Sequence, residues 1–360
     1  MAESEPPAFA WPPPRENPHL VGHEAAAATL TAAWRSGRLA HAWLIAGPRG
    51  IGKATLAYRF ARFALSGGEG GADDLAMPPD HPVFRRVAAG GHSDLAVIER
   101  GLGERGRLRA EIVVDDVRAA NAFLSLTAGE GGWRVVVVDA AEEMNRNAAN
   151  ALLKRLEEPP GRVLFLLVSH APSRLPATLR SRCRVLTLAP LPAPALEGLL
   201  AEAMPGLAAD ERRVLGLLAE GSPGRAAALA EQGGAALYRR VIGLVGTLPA
   251  LDAKPLHQLA DGLAGRDGVD RLRTLAELIL WWLGRSIRAA ARGELGTMAE
   301  VVPGERASAA MLDGAALDRW VGVWENLRRS FADADGLNLE PRQVLIGAFT
   351  TLQEAARARA

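Results

Sequence analysis

The chain has a single cysteine, Cys183, among its 360 residues. No internal disulfide can form, and no cysteine cluster exists to hold zinc or an iron–sulfur centre. Lysine is nearly as scarce: only Lys53, Lys154 and Lys254 stand beside a large complement of arginine, so each position is informative. Net charge is almost absent too, since 42 basic against 41 acidic residues leave +1. The chain as a whole therefore carries no field that would hold nucleic acid by itself. No apolar run approaches the roughly 18 to 20 residues that span a bilayer. The N-terminal stretch is acidic and proline-rich (Glu3, Glu5, Pro6, Pro7, Pro12 to Pro14) and lacks a basic-then-apolar signal pattern. A reducing cytoplasm is the expected location, with no membrane contact.

What is present is the mix of a soluble globular protein, 49% apolar and 23% charged. At about 150 residues per domain the length implies two or three domains. Residues 1–18 lack periodicity and read as a solvated tail or a strap on the first domain. Residues 22–38 have helical spacing, and His41 to Ala46 is an apolar run of strand length followed by a glycine loop and a helix from Ala54 to Ala64. Residues 66–82 read as a long loop, 92–99 as a strand, 105–110 as a turn or short hairpin, and 112–126 as a helix with Asp115 and Asp116 in its first turn. Val135 to Val138, a helix through Ala148 to Leu156 stopped by Pro159-Pro160, and a strand from Val163 to Ser169 complete the pattern. Strands alternating with helices predict a parallel sheet covered on both faces. From Ala195 onward only amphipathic helices are predicted, with a boundary near residues 189–194 and a second one at residues 231–236.

Gly47-Pro48-Arg49-Gly50-Ile51-Gly52-Lys53 fits the Walker A pattern, a loop whose glycines let backbone N–H groups converge on phosphate oxygens while the lysine supplies a point charge. The next residue, which in that pattern is a serine or threonine holding magnesium, is Ala54; Thr55 follows one position later, about 100° round the helix. Val135 to Asp139 is a Walker B strand ending in an aspartate. The position after it, where a working ATPase has the glutamate that polarises water, is Ala140. Loss of such a base costs about 10² to 10⁴ in rate. Glu142 and Glu143 read as a solvated turn or helix start. Ser169, at a strand end, is a candidate sensor of the terminal phosphate or a strand cap. Arg180, Arg182 and Arg184 form a cluster that can reach a neighbour's phosphate or remain a surface ion-pair group.

These motifs, together with Asn150-Ala151-Leu152-Leu153-Lys154-Arg155-Leu156-Glu157-Glu158-Pro159-Pro160, then Ser181-Arg182-Cys183, and Gly221-Ser222-Pro223-Gly224-Arg225-Ala226, come in one order. In that order and content the chain resembles the AAA+ clamp-loader subunits of bacterial DNA polymerase III, and within them the delta-prime branch, which has Asp139-Ala140-Ala141 where motor subunits have aspartate-glutamate. Residues 336–345 also look like the end of that branch's collar. The resemblance implies an α/β AAA+ P-loop domain, a parallel sheet with helices on both faces, over residues 19–190. It implies further a small helical lid over 191–235 and an all-α collar over 236–360. It implies a stator that does not hydrolyse ATP, with Arg182 as an arginine finger acting in trans. The nucleotide-binding positions it implies are Gly47, Gly50, Gly52, Lys53, Thr55, Asp139, Ser169 and Arg225. ATP or ADP is implied as a structural ligand with impaired magnesium positioning. The implied partners are motor subunits of tau/gamma type and a delta subunit, with the sliding clamp and primer–template DNA reached through the complex.

Two departures stand out. Many members of this group carry a four-cysteine zinc module after the first helix, and residues 66–82 have no cysteine, so zinc is not expected. The loop lysine, lost in some delta-prime chains, is kept. Two other readings stay open: an active ATPase motor of the same ring using Glu142 or Glu143 as base, and an unrelated P-loop NTPase with an independent DNA-binding helical domain. Trp281, Trp282, Trp320 and Trp324 lie in apolar helical patterns and are expected in a core or subunit interface.

Overall fold

A parallel strand with apolar residues on both faces needs an apolar layer above and below it. The computed structural model of the chain, which describes residues 11–70, 73–103, 108–130, 132–265, 267–312, 317–337 and 339–358, provides both layers. Its strands are β1 (Ala42–Ala46), β2 (Leu95–Ile98), β3 (Arg134–Val138), β4 (Val163–Ser169) and β5 (Arg184–Thr187), in the order β2-β3-β4-β1-β5 with every neighbour parallel. Alternate side chains of each strand go to opposite faces. Val135, Val137, Leu164, Leu166, Trp43 and Ile45 join one core with α1 (Glu24–Arg35), α2 (Lys53–Leu65) and α3 (Pro82–Ala88). Val136, Val138, Phe165, Leu167 and Leu44 join the other with α4 (Val114–Phe123), α5 (Arg146–Glu157) and α6 (Ala177–Arg180). The register places Ala46 opposite Ser169 and Thr187, so β1, β4 and β5 end level.

The strands expected at 41–46, 92–99, 135–138 and 163–169 are present as β1 to β4, the second of them shorter than expected, and the expected helices are present as α1, α2, α4 and α5. Three elements were not expected, among them the four-residue α6. α3 is seven residues long, too short to show a helical period, and starts where His81 accepts a hydrogen bond from the Val83 amide. β5 is an edge strand with Arg184, Val185 and Thr187 exposed, so no run of apolar residues marks it; its pairing with β1 makes it a strand. The expected turn or short hairpin at 105–110 falls partly outside the described residues; Leu108, within it, pairs with Leu102, before it, in an isolated antiparallel bridge.

Nearly every side chain of α2 is buried, including Arg59 and Arg62. Residues 15–18 explain this by lying across the helix as a strap. Arg62 donates to the carbonyls of Arg15 and Asn17, each at 3.0 Å, and Arg59 donates to that of Pro18 at 2.8 Å. The Arg62 guanidinium also stacks 4.4 Å from the centre of the Phe84 ring. Burial pushes Arg62 down to about 10, with Arg59 adding to the effect.

The chain divides into two compact units. One holds Ala10–Ala203, which includes α7 (Ala193–Ala203), together with Glu220–Arg225. The other holds Met204–Ala219, with α8 (Ala209–Ala219), and the chain from Ala226 onward. α9 (Pro223–Glu231) is followed in this second unit by α10 (Gly234–Val245), α11 (Ala253–Asp261), α12 (Gly268–Ala291), α13 (Glu305–Ala309), α14 (Leu317–Leu337) and α15 (Pro341–Arg357). No strand occurs there among the described residues. α12 packs on α14 and α15, and Trp282 and Trp320 are wholly buried, as a core position requires. Glu305, also wholly buried, accepts from the Tyr238 hydroxyl, Arg285 and the Val301 amide, 2.6 Å each, so its charge is compensated. Glu340 caps α15 by accepting from the Arg342 and Gln343 amides, with Pro341 at the first helical position. No helix among the described residues is long and apolar enough to cross a membrane.

Candidate functional site

β1 ends at Ala46 and α2 begins at Lys53, so residues 47–52 must turn from the sheet edge into a helix within six residues. Gly47, Gly50 and Gly52 do this with φ of 148°, 76° and 103°, a region that side chains with Cβ avoid. A Cβ at Gly47 would also lie 2.5 Å from the Leu188 carbonyl oxygen, and one at Gly50 would lie 2.5 Å from Ser222 Oγ.

The carbonyls of Pro48, Arg49, Gly50 and Ile51 are engaged. Lys53 Nζ donates to that of Pro48 at 2.5 Å, Ser222 Oγ to that of Arg49 at 2.9 Å, and the Gly224 amide to that of Gly50 at 2.9 Å. His23 Nε2 lies 2.6 Å from that of Ile51. With the carbonyls held outward, the amides of Arg49, Gly50, Ile51 and Gly52 donate to no other described residue. Successive unengaged N–H groups at the start of a helix form a concave anion receptor. His23 and Ser222 were not singled out as site residues from the sequence; neither spacing nor composition marks them, because their partners are backbone atoms distant in the chain.

Lys53 is 5% exposed, and burial pushes its ammonium down to about 8, against the opposing pull of Glu142 and then Asp139. Asp139 follows β3 directly, and burial raises its carboxyl above the ordinary range despite a hydrogen bond from the Ala140 amide. Ala140 has φ 59°, ψ 64°, the left-handed conformation, and bears no group that could act as a base. Ala54 offers no hydroxyl, and Thr55 is buried on α2 without a hydrogen bond to any described residue. The unengaged amides and the Lys53 ammonium fit a phosphate group, while position 54 supplies no hydroxyl for the magnesium ion that usually accompanies it.

Residues 141–143 form a one-turn 3-10 helix, as the expected turn or helix start requires, but the expectation of a solvated Glu142 is overturned. Its side chain is only 2% exposed, and Oε1 accepts from the amides of His170 at 2.8 Å and Ala171 at 3.1 Å and lies 2.6 Å from His170 Nδ1. Burial works to raise its pKa, but the hydrogen bonds of backbone amides and of Ser169, with the His170 charge, bring it below the usual value. Glu143, by contrast, pairs with Arg100 at 2.7 Å. Ser169 is brought to the site: the Gly47 amide donates to its carbonyl at 3.2 Å, while its hydroxyl accepts from the Ala171 amide at 3.2 Å. Glu142 is thus a site residue that the sequence pointed to only as a rival base, two positions after Ala140.

Arg225 starts α9, next to the loop through the Gly224–Gly50 bond, but its guanidinium is engaged with Glu220 at 3.2 Å. Arg182 lies elsewhere, on the turn after α6, where it pairs with Glu157 at 2.5 Å and donates to the Thr178 carbonyl at 3.0 Å. The arginine cluster is not unpaired: Arg180 donates to the Pro172 carbonyl, and Arg184 lies over the Trp43 ring. Ser181 Oγ bonds the Thr178 carbonyl, and Cys183 is buried with its thiol pushed up to about 11, which makes it packing and not a nucleophile. An open groove between α4 and α5, about 520 Å³, is lined by Arg118, Asn121, Asn147, Asn150, Lys154 and Arg155 among others, mostly amide and cationic donors.

Residues 22–192 match a family model described as DNA polymerase III, delta subunit. A Pseudomonas aeruginosa protein named DNA polymerase III subunit delta' is 43% identical over 196 residues, 54% of this chain and 57% of that protein. Its Escherichia coli namesake is 37% identical over 171 residues, 45% and 46% of the two chains. A gamma/tau subunit of DNA polymerase III from Mycobacterium bovis is 29% identical over 333 residues, 84% of this chain and 56% of that one. The chain thus spans about half the length of the curated relatives it matches.

Proposed function

We propose, from the likeness of residues 22–192 to DNA polymerase III delta and delta' proteins, that the protein is a non-hydrolysing stator subunit, of delta-prime type, of a DNA polymerase III clamp loader. The observation that carries this reading is an intact phosphate-loop scaffold whose two hydrolytic positions, 54 and 140, are both alanine. In this reading the chain assembles through its helical unit with tau/gamma-type motors and a delta subunit. Arg182 completes the ATP site of the adjacent motor, where a guanidinium supplied in trans stabilises charge on the transferring phosphoryl group. The sliding clamp and primer–template DNA are met through the complex. The amide and cationic groove between α4 and α5 has the donors that a phosphate backbone requires, which supports DNA contact there. ATP or ADP at the chain's own loop is a structural ligand.

The test is DNA-stimulated ATP hydrolysis by the loader reconstituted from this chain and its partners. Arg182→Ala is expected to lower the rate several-fold while Lys53→Ala leaves it nearly unchanged. Damage by Lys53→Ala alone would restore the alternative, an active motor subunit. That alternative uses Glu142 or Glu143 as the base, and retention of full ring activity when both are replaced by glutamine would dismiss it.

A further inference from the structure

The second half of α12 turns three arginines to one face. Arg285, Arg288 and Arg292 stand at i, i+3 and i+7, a spacing at which helical side chains are neighbours and like charges repel. Together with the segment from Glu294 to Ala299 they line an open pocket of about 310 Å³, a size at the small end for ligand pockets, roughly 300 to 1,000 Å³. That segment is held in place by buried Leu295 and Met298 and by the Glu294 amide, which donates to the Ala289 carbonyl at 2.8 Å. Arg285 is fixed: it donates to buried Glu305 at 2.6 Å and to the Ala299 carbonyl, and its guanidinium lies 5.3 Å from the centre of the Trp281 ring. The other two are not. The Arg288 guanidinium makes no hydrogen bond or ion pair with any described residue, and Arg292 approaches Glu294 only at 3.9 Å, beyond hydrogen-bond reach. Cations suit the C-terminal end of a helix. Yet among the described residues neither of these guanidinium groups donates to a carbonyl of α12, so capping leaves both forks free.

From this arrangement we propose that the pocket is a receptor for a phosphate-bearing anion, with Arg288 and Arg292 as its binding residues and Arg285 as the fixed charge beside them. The site lies wholly in the helical unit and rests on nothing in the reading of the phosphate loop or of Arg182. A guanidinium presents its N–H groups as a planar fork that matches the oxygens of a phosphate or a carboxylate. A single carboxylate has two oxygens and one charge, and one fork satisfies it. A phosphate has further oxygens and more charge, so it takes a fork from each arginine and relieves their repulsion. Glu294 is the one carboxylate among the lining residues, and it competes with the anion for Arg292. The same chemistry belongs to a free polyphosphate and to a nucleic-acid backbone, and the experiment separates the two.

The test is titration calorimetry of the full chain with pyrophosphate, and fluorescence anisotropy with a short labelled single-stranded oligonucleotide, at one salt concentration. Every protein carries Lys53→Ala, which takes the ammonium of the 47–53 loop out of the measurement. Combining Arg288→Gln with Arg292→Gln is expected to weaken pyrophosphate binding by about tenfold or more, since two charge-assisted forks are lost. Both side chains are exposed, so this variant keeps the fold. Arg288→Lys retains the charge without the fork and is expected to fall between the parent and the double variant. Glu294→Gln removes the competing carboxylate and is expected to tighten binding several-fold, the opposite direction. Weaker pyrophosphate binding in the double variant identifies a free phosphate ligand, and weaker oligonucleotide binding alone identifies a backbone phosphate; each supports the proposal. Binding of both probes unaltered by the double variant, or absent from the parent, would overturn it. So would hexaglutamate bound as tightly as pyrophosphate and lost in the same variant, because the pocket would then take acidic peptide. None of these results bears on the ring assay with Arg182→Ala, so the stator reading stands or falls separately.

Discussion

Oε1 of Glu157, at the end of α5, lies 2.5 Å from the Arg182 guanidinium, and the same guanidinium donates to the Thr178 carbonyl at 3.0 Å. The two side chains are 36% and 42% exposed, so their pairing is worth at most about 1 kcal/mol. A phosphate carries more charge than a carboxylate and can accept two parallel bonds from a guanidinium, which lets it displace Glu157. Arg182→Ala and Glu157→Gln are each expected to unfold in urea within about 1 kcal/mol of the wild type. In the reconstituted loader Glu157→Gln should keep full ATPase activity while Arg182→Ala loses it. A stability loss above ~2 kcal/mol in Arg182→Ala would mean that the residue supports the fold, since only core or buried-network changes reach that size.

Gly50 is where the phosphate loop touches the turn before α9. Alanine there would meet Ser222 Oγ at 2.5 Å and the Arg225 amide nitrogen at 3.1 Å, at a φ of 76° that alanine resists. Gly50→Ala is expected to destabilise the first unit by about 2 kcal/mol, the sum of left-handed strain and overpacking. Chemical denaturation measures it, and Gly233→Ala provides the comparison: its φ is 64° but nothing lies within 4 Å of a Cβ. Only the strain should appear there, so Gly50 should be the more sensitive.

Lys53 makes stability and ligand binding depend on pH in opposite senses. Burial holds it near 8 in the folded chain, against 10.5 for the free side chain. Between these values the unfolded chain binds more protons than the folded one, so stability rises with pH across that window; below about 8 both states are charged and the contribution is flat. Phosphate binding needs the charged ammonium. ADP affinity is therefore expected to fall above about pH 8, by up to tenfold per pH unit, as binding titrations at several pH values would record. Lys53→Met should remove both slopes. A wild-type affinity flat from pH 7 to 10 would show that the loop amides alone hold the ligand.

Arg62 fixes the strap through two carbonyls and has no carboxylate partner among its hydrogen bonds. Replacing it by methionine removes these bonds but also a buried charge, two effects of opposite sign. The global stability of Arg62→Met is expected to stay within about 1 kcal/mol of the wild type, while proteolytic cleavage within residues 11–18 becomes several-fold faster. If cleavage of the strap is unaffected, its attachment lies in Trp11, whose Nε1 donates to the Pro223 carbonyl at 3.0 Å, and not in Arg62.

The amino-acid sequence by itself determined the sheet's buried strands, the loop joining β1 to α2, the alanines at 54 and 140, and the change to an all-helical second half. All of these are local patterns: apolar runs, glycine spacing and helical period act over a few neighbouring residues and are read along the chain. The tertiary structure alone decided the strand order, the existence of β5, and the identity of the groups that close the site. β5 exists because β1 offers it an edge, a property of the sheet and not of Arg184 to Thr187. His23 and Ser222 reach the loop carbonyls from 28 and 173 residues away, and no local rule couples such positions. The case of Glu142 is the sharpest: its charge and its place beside a short turn suggest solvent. The sheet register instead brings the end of β4 against that turn, and the His170 and Ala171 amides with the His170 ring make burial of the carboxylate tolerable. Whether a charged residue faces water or a ligand loop depends on which partners folding delivers to it, and those partners lie on another strand.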